Sequence, residues 1–482
     1  MSGTIRRVAV LLGVLFLALL ANANIVQVLR ADELADGPGN TRGIIREYGR
    51  ERGPIVVGGA AVASSKETDG RLRYQRVYAD GPLYASATGF YSLVYGATGI
   101  EKAENDVLAG SDDRFAVQRL SDLIAGREPK GGSVTLTLDP AAQQAAFDGI
   151  SKLTGAVVAI QPSTGALLAL AQSPSFDPNP LSSNDPATAR EYWTAAVADP
   201  DKPLLNRPIA EVYPPGSTFK VVTTAAALAS GRYTPTTLIP APASITLPGT
   251  NTTLSNFTGR PCGDGEVTLT EALVVSCNTA FAQVGMDLGD DALRAQAEAF
   301  GFNSSFDVPM TAATSRFPAD LNTPQTAQAA IGQFDVRATA LQMAMVAAGV
   351  ANRGVVMVPY LVQDVRSPDL EVLETAQPEE FGRALTPELA QEVTDMMVLV
   401  VEEGTGSNAA IPGVRVAGKT GTAQTAPGRP PDAWFIAFAP ADDPQVAVAV
   451  AIEGAPELGE ISGNRLAAPI AKAVIEAVLG RG

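Results

Sequence analysis

The chain of 482 residues contains no histidine, two cysteines, two tryptophans and only 6% aromatic residues. Without histidine, every Ser-His-Asp or Cys-His catalytic arrangement and every histidine-ligated metal site is excluded. A general base must therefore be Lys, Asp, Glu, Tyr or an amine. Two cysteines cannot build a four-cysteine zinc site. Cys262 and Cys277, 15 positions apart, either close one disulfide in an oxidising compartment or are two unrelated buried thiols. Positive charge is also scarce. Asp+Glu 51 against Lys+Arg 35 leaves a net charge of −16 with no compact basic run, which argues against nucleic acid as a partner. There is no G-x-S-x-G elbow, internal repeat or low-complexity block. With 46% hydrophobic and 18% charged residues, the chain can bury more than one core and is not a disordered tail.

At the amino terminus, Arg6 and Arg7 precede an unbroken small-or-apolar run, Val8 to Ala21, and a second apolar stretch ends at Leu29. The fourteen residues of the first run span about 21 Å as a helix, the length of a signal-peptide core; the 22 from Val8 to Leu29 span about 33 Å, enough to cross a bilayer. Ala21-Asn22-Ala23 also reads as a small-x-small cleavage site. Anchor and cleaved signal both place everything after residue 30 outside the cytoplasm, with the paired arginines inside.

Residues 31–150 are polar and interrupted by glycines, with short strand-like pieces at 55–57 and 72–78 and no long helical period. They read as a small, mostly extended juxtamembrane module. Near residue 150 the pattern changes. Two apolar strands, 156–160 and 166–171, flank the turn Pro162-Ser163-Thr164-Gly165 and open a larger α/β core covering 151–482. Helices are expected over Ser217–Ser230 before Gly231, after Thr268-x-x-Glu271, from Thr386-Pro387 to Glu403, and over 466–479. Strands are expected at 414–416, 434–439 and 446–452. Strands at both ends of this region with helices between them give an antiparallel sheet flanked by helices, with a helical insert: an α/β chain of the α+β kind.

Three short motifs carry chemistry. Ser217-Thr218-Phe219-Lys220 follows Tyr213-Pro214-Pro215-Gly216, so the serine opens a helix after a rigid turn, and a spacing of three puts Ser217 and Lys220 on one face. The amine can then serve the hydroxyl as imidazole would, provided that burial and a second cation keep it neutral. Taken singly, the tetrapeptide is equally an N-cap serine with a solvated lysine. Ser276-Cys277-Asn278 pairs a hydroxyl that can relay a proton with an amide that can hold a carbonyl, although such residues are common turn polars. Lys419-Thr420-Gly421-Thr422 places a cation and a hydroxyl where a carboxylate could bind, with a glycine that lets backbone approach a reacting carbonyl.

Gly413 to Thr420 also satisfies the phosphate-loop pattern G-x-x-x-x-G-K-[ST]. The context is wrong, since Pro427, Pro430 and Pro431 follow where the phosphate-binding helix would have to begin. The nucleotide reading is set aside. Asn251, Asn256 and Asn303 occupy N-x-S/T triplets that nothing else supports as glycosylation sites.

The three motifs occur in the order S-x-x-K, S-x-N, K-T-G, separated by 59 and 143 residues. That ordered set resembles the penicilloyl-serine transferases, which comprise the penicillin-binding proteins and the serine β-lactamases. Arg42-Gly43-Ile44, Gly99-Ile100-Glu101, Tyr213 through Lys220, Ile331-Gly332-Gln333, Gly404-Thr405-Gly406 and Asp432-Ala433-Trp434-Phe435 narrow the resemblance to class B penicillin-binding proteins of the penicillin-binding protein A type, over essentially the whole chain. The resemblance implies a transpeptidase/β-lactamase-like fold with an all-helical subdomain. It implies a single-pass, uncleaved anchor in the inner (cytoplasmic) membrane over residues 1–30, with the catalytic domain extracytoplasmic. Residues 31–150 become a pedestal or dimerisation-like module and 151–482 the penicillin-binding domain.

The implied activity is a D,D-transpeptidase that cross-links peptidoglycan stem peptides through a serine acyl-enzyme formed on D-Ala-D-Ala, inhibited by β-lactams, in cell division or cell shape. Ser217 would attack, Lys220 would take its proton, and Ser276 would help protonate the leaving D-Ala. Asn278 would touch the substrate amide, and Lys419, Thr420, Gly421 and Thr422 would bind the donor, with Lys419 also holding Lys220 neutral. The backbone N–H groups of Ser217 and Thr422 would form the oxyanion hole. No metal or cofactor is expected. The 120 residues between anchor and core hold no obvious glycosyltransferase module, so a separate glycosyltransferase within the division or elongation machinery is the expected partner. Cys277 stands where many β-lactamases carry Asp. A bond to Cys262 would tether the S-x-N turn beside the cleft. The alternatives are a D,D-carboxypeptidase or β-lactamase-like hydrolase with water as acceptor, and a non-catalytic division scaffold or β-lactam sensor.

Overall fold

The structure is a computed structural model, and residues 2–26, 47–126, 128, 130–425 and 428–481 are described. Arg42-Gly43-Ile44, the end of the second apolar stretch at Leu29, and Pro427 lie outside the described residues. Helix α1 (Ser2–Asn24) carries the amino-terminal apolar run and is the one described helix long and apolar enough to cross a membrane. Its 23 residues rise about 34 Å, and none of its apolar surface is buried.

The next region is built on a six-stranded sheet. Strands Ile55–Val57, Ala60–Glu67 and Tyr74–Tyr78 pair antiparallel in sequence, and Ser133–Leu136 lies parallel to the first. Its remaining strands, Val362–Arg366 and Val372–Thr375, arrive more than 220 residues later in the chain and complete the order. Thr135 Oγ1 donates to Asp364 Oδ1 across that long-range seam at 3.0 Å. A buried ion cluster fixes the other end. Glu101 accepts from Arg52 Nε at 2.7 Å, Arg76 Nε at 2.6 Å and the Tyr78 hydroxyl at 3.1 Å. Burial alone would raise the Glu101 pKa, but the two guanidiniums outweigh it and hold the carboxylate charged.

The region is less extended than its sequence suggests. Helices occupy Gly81–Thr88, Ala116–Ala125 and Pro140–Ile150, the last being α2. The side chain of Asp139 caps α2 by accepting from Ala142 N, with Pro140 in its first turn. Its buried residues are Ala142, Gln143, Ala146 and Ile150, two alanines and a glutamine among them, which give no strong hydrophobic period.

The core sheet has five antiparallel strands: β1 (Gly155–Ile160), β2 (Leu167–Ser173), β3 (Ala417–Ala423), β4 (Asp432–Ala439) and β5 (Val446–Ile452), in the order β3-β4-β5-β1-β2. Every residue of β1, β4 and β5 is buried, because helices cover both faces. One face carries α2 and the terminal helix Ala468–Val478. The other packs against Ala340–Ala351, whose twelve residues are all buried between the sheet and the helical lobe. Two sequence expectations shift here. Residues 414–416 are not a strand, because Pro412-Gly413 makes a turn that bonds Val414 N to Ile411 O at 3.1 Å. The strand starts at Ala417 and contains the Lys-Thr-Gly motif itself. The expected Ser217–Ser230 helix opens as a 3₁₀ turn, Gly216–Phe219, and becomes α-helical only as α3 (Lys220–Ala229).

Candidate active site

The edge strand β3, the 3₁₀ turn carrying Ser217 and the Ser276-Cys277-Asn278 turn meet at one cleft. The approach of the first two depends on glycine. A Cβ on Gly421 would lie 3.0 Å from Thr218 Cγ2 and 3.1 Å from Pro215 O. Gly216, at φ +53°, has the backbone of Thr422 and Ala423 about as close, so the N–H of Ser217 and the strand segment around Thr422 share one side of the cleft.

Lys220 and Lys419 are both fully buried. Lys220 Nζ lies 2.7 Å from Ser276 O, 2.7 Å from Asn278 Oδ1 and 3.2 Å from Ser276 Oγ. Lys419 Nζ donates to the same hydroxyl at 2.9 Å and to Thr420 O at 3.1 Å. A neutral amine at Lys220 fits this set: its two N–H groups donate to the two carbonyl oxygens, and its lone pair accepts from Ser276 Oγ–H. Burial, and then the charge of Lys419, push the Lys220 amine well below the usual lysine range, while burial lowers Lys419 to about 7. Ser276 thus bridges the two amines. The expected direct contact between Ser217 and Lys220 is not formed as a hydrogen bond, because all three positions around the amine are taken by the S-x-N turn. The two residues still share a face, since positions i and i+3 eclipse on a 3₁₀ turn.

The S-x-N turn is held from outside the cleft. Ser276 sits at φ +60°, a conformation that disfavours a side chain, and it leads into helix α4 (Asn278–Leu288). Cys277 is bonded to Cys262, with Cα atoms 6.2 Å apart, so the disulfide alternative is the one the structure adopts. Cross-linking a loop of this length restricts the unfolded chain by roughly 3 kcal/mol on the chain-entropy estimate. Asn278 Nδ2 donates to Ser255 O at 3.0 Å. Asn256, absent from the sequence reading except as a glycosylation triplet, is buried and clamps the same region. It donates to Pro242 O and Arg260 O and accepts from Thr279 N. Thr405, of the Gly404-Thr405-Gly406 run, pairs its hydroxyl with that of Thr420 at 2.8 Å. Thr405 belongs to a run the sequence reading singled out, but its partner was not legible there; Asn256 carried no signal for this role.

Lys419 gives a pH-dependent prediction. Its folded pKa lies below its unfolded value, so between about pH 7 and the ordinary lysine range near 10.4 the unfolded chain binds the extra proton and wild-type stability gains as pH rises. Lys419→Met removes that term. The variant is expected to exceed wild-type stability most at pH 7 and below, with the difference shrinking toward pH 10, as read from paired denaturant titrations.

The comparisons with known proteins agree with this geometry. A family model described as the penicillin binding protein transpeptidase domain matches residues 155–476, and one described as the penicillin binding protein A dimerisation domain matches residues 52–134. The chain is 48% identical to the peptidoglycan D,D-transpeptidase PbpA of Mycolicibacterium smegmatis, covering 100% of both chains. It is 46% identical to PbpA of Mycobacterium tuberculosis, covering 99% of each. Among solved structures, the ceftriaxone acyl-enzyme of penicillin-binding protein A from M. tuberculosis superposes with a TM-score of 0.88 at 47% identity, covering 90% of this chain and 100% of that one. The penicillin G acyl-enzyme gives 0.86 at 46%, covering 89% and 100%. With two buried lysines joined by a serine hydroxyl beside an edge strand, and with this identity over its whole length, the chain belongs to the penicillin-binding protein transpeptidase family and is a peptidoglycan D,D-transpeptidase.

Proposed function

We propose that Ser217 is the nucleophile of this transpeptidase and Lys220 its general base. Ser217 Oγ attacks the carbonyl of the penultimate D-Ala, and its proton passes to the neutral amine of Lys220, whose lone pair the Ser276 hydroxyl vacates as it turns toward the leaving nitrogen. The developing oxyanion is held by the N–H groups of Ser217 and Thr422, a device whose loss typically costs about 10²–10³ in rate. On collapse, the C–N bond breaks and the leaving D-Ala amine takes a proton from Ser276 Oγ–H, which is replenished from the lysine pair. Asn278 and the β3 edge align the donor peptide, while Lys419 and Thr420 receive its terminal carboxylate. The amine of a second stem peptide then attacks the acyl-enzyme carbonyl, giving up a proton to the Lys220 amine; as the ester C–O bond breaks, that proton returns to Ser217 Oγ and the cross-link is formed. A β-lactam enters the same first step, but its leaving nitrogen stays tethered. The observation carrying this reading is the Lys220–Ser276–Lys419 bridge, which supplies a neutral base without histidine.

Residues 31–150 are assigned as a juxtamembrane, dimerisation-like module and 151–482 as the penicillin-binding domain. The two late strands shared with the amino-terminal sheet support a firm connection between them. Helix α1 supports a single-pass inner-membrane anchor with an extracytoplasmic catalytic domain. Glycan polymerisation is assigned to a separate glycosyltransferase of the division or elongation machinery.

An exchange assay tests the acceptor. With a stem pentapeptide and a labelled D-amino acid, the protein is expected to incorporate label at the peptide terminus in preference to releasing free tetrapeptide. Predominant hydrolysis would favour a carboxypeptidase, and neither product would favour a scaffold or sensor.

A further inference from the structure

We propose that Glu453 is a positioning residue for acylation, acting on Ser217 through Tyr213. It follows the last residue of β5, remote in sequence from all three motifs. Its Oε1 accepts from the Tyr213 hydroxyl at 3.1 Å and from Arg207 Nε at 3.4 Å, and its Oε2 accepts from Arg429 Nη2 at 3.2 Å. The next residue is pinned as well, with Gly454 N donating to Asp432 Oδ1 at 3.0 Å. One largely buried carboxylate therefore joins the segment before the nucleophile turn, the end of β5 and the loop between β3 and β4.

Tyr213 is the element this clasp governs. Its ring meets Trp434 of β4 edge-on at 6.0 Å, directly across the ladder from Gly421. Its backbone exchanges two hydrogen bonds with Ala338. The hydroxyl is buried and lies 3.0 Å from Glu211 Oε2 as well, so its single proton is shared between the two carboxylates. From Tyr213 to Gly216 the chain is Pro214-Pro215, whose fixed φ angles leave little slack. A displacement of Tyr213 is thus passed to the turn carrying Ser217, and misplacing a reacting group by about 1 Å is enough to cost on the order of 10²-fold in rate.

Arg207 does not depend on this carboxylate alone. Its guanidinium also donates to Lys202 O and Asp201 O and pairs with Glu211. Arg429, by contrast, is half-exposed. The inference rests on Ser217 being the nucleophile, and its test separates the two ideas. Acylation of the full-length protein by a fluorescent penicillin is resolved into a binding constant and a first-order acylation constant. Glu453→Ala and Tyr213→Phe are each expected to lower the acylation constant about tenfold, with binding within about twofold of wild type. The double variant should lose no more than the worse single one, since the two act in series. Glu453→Gln, which keeps an oxygen for Tyr213, should recover the rate to within about threefold. Multiplying losses, a change confined to binding, or wild-type acylation constants in the single variants would overturn the positioning role while leaving Ser217 untouched. If Glu453→Ala does not fold, an unchanged constant in Tyr213→Phe overturns it. Wild-type protein acylated elsewhere than Ser217 would remove the premise instead.

Discussion

Lys220→Met is expected to lower the rate of acylation by penicillin by about 10³–10⁴-fold while leaving the fold intact. Met is close to Lys in length and suits the fully buried site, so the substitution creates neither a cavity nor an unpaired charge. It removes the amine that burial and Lys419 hold neutral, and with it the acceptor proposed for the Ser217 proton. General-base catalysis contributes typically 10²–10⁴-fold; the chain has no histidine to take over, and the other nearby amine, Lys419, is bonded to Ser276 and Thr420. The Ser276 carbonyl and the Asn278 amide lose a donor, which water can replace. The variant should melt at or above the wild-type temperature, since a buried amine that must shed its proton on folding is a cost at neutral pH. A loss below tenfold in well-folded protein would mean that Lys220 is structural.

Removing the Ser276 hydroxyl is expected to cost about 10²-fold or more, because that one oxygen joins the two lysines. Two substitutions separate chemistry from strain. At φ +60°, Ser276→Ala keeps a Cβ in a left-handed conformation without the hydroxyl, whereas Ser276→Gly suits the backbone. Both should lose acylation to a similar extent. The glycine variant should be the more stable by about 1 kcal/mol, relieved of the left-handed penalty. The carbonyl of residue 276 still accepts from Lys220 in either variant, so the amine stays near its place. Equal stability with divergent rates would show that turn geometry, rather than the hydroxyl, sets the activity.

The residues proposed to bear the chemistry were readable because each motif is local. Spacing of three puts Ser217 and Lys220 on one face whether the turn is α or 3₁₀, so the mistaken helix type did not separate them, although no hydrogen bond joins them. The orientation of the amine was not readable. It depends on the Ser276 turn, 56 residues on, whose left-handed residue and disulfide have no signature in spacing alone. Residues 414–416 alternated like a strand, yet Pro412-Gly413 consumed them in a turn and moved the strand onto the motif. Helix α2 was hidden by the small alanines of its buried face, and the amino-terminal sheet by strands borrowed from 362–375. Asn256, Thr405 and Glu453 reach partners as far as 23, 131 and 246 residues away, which no local window registers.

Because the Lys220 amine rests against Ser276 rather than Ser217, two hydroxyls compete for the role of nucleophile, and locating the covalent bond decides between them. Full-length protein treated with penicillin G, digested and mapped by mass spectrometry, is expected to carry one penicilloyl group on Ser217, absent from Ser217→Ala. An adduct on Ser276, or no stable adduct on correctly folded protein, would contradict the assignment of an uncharged lysine to the activation of Ser217.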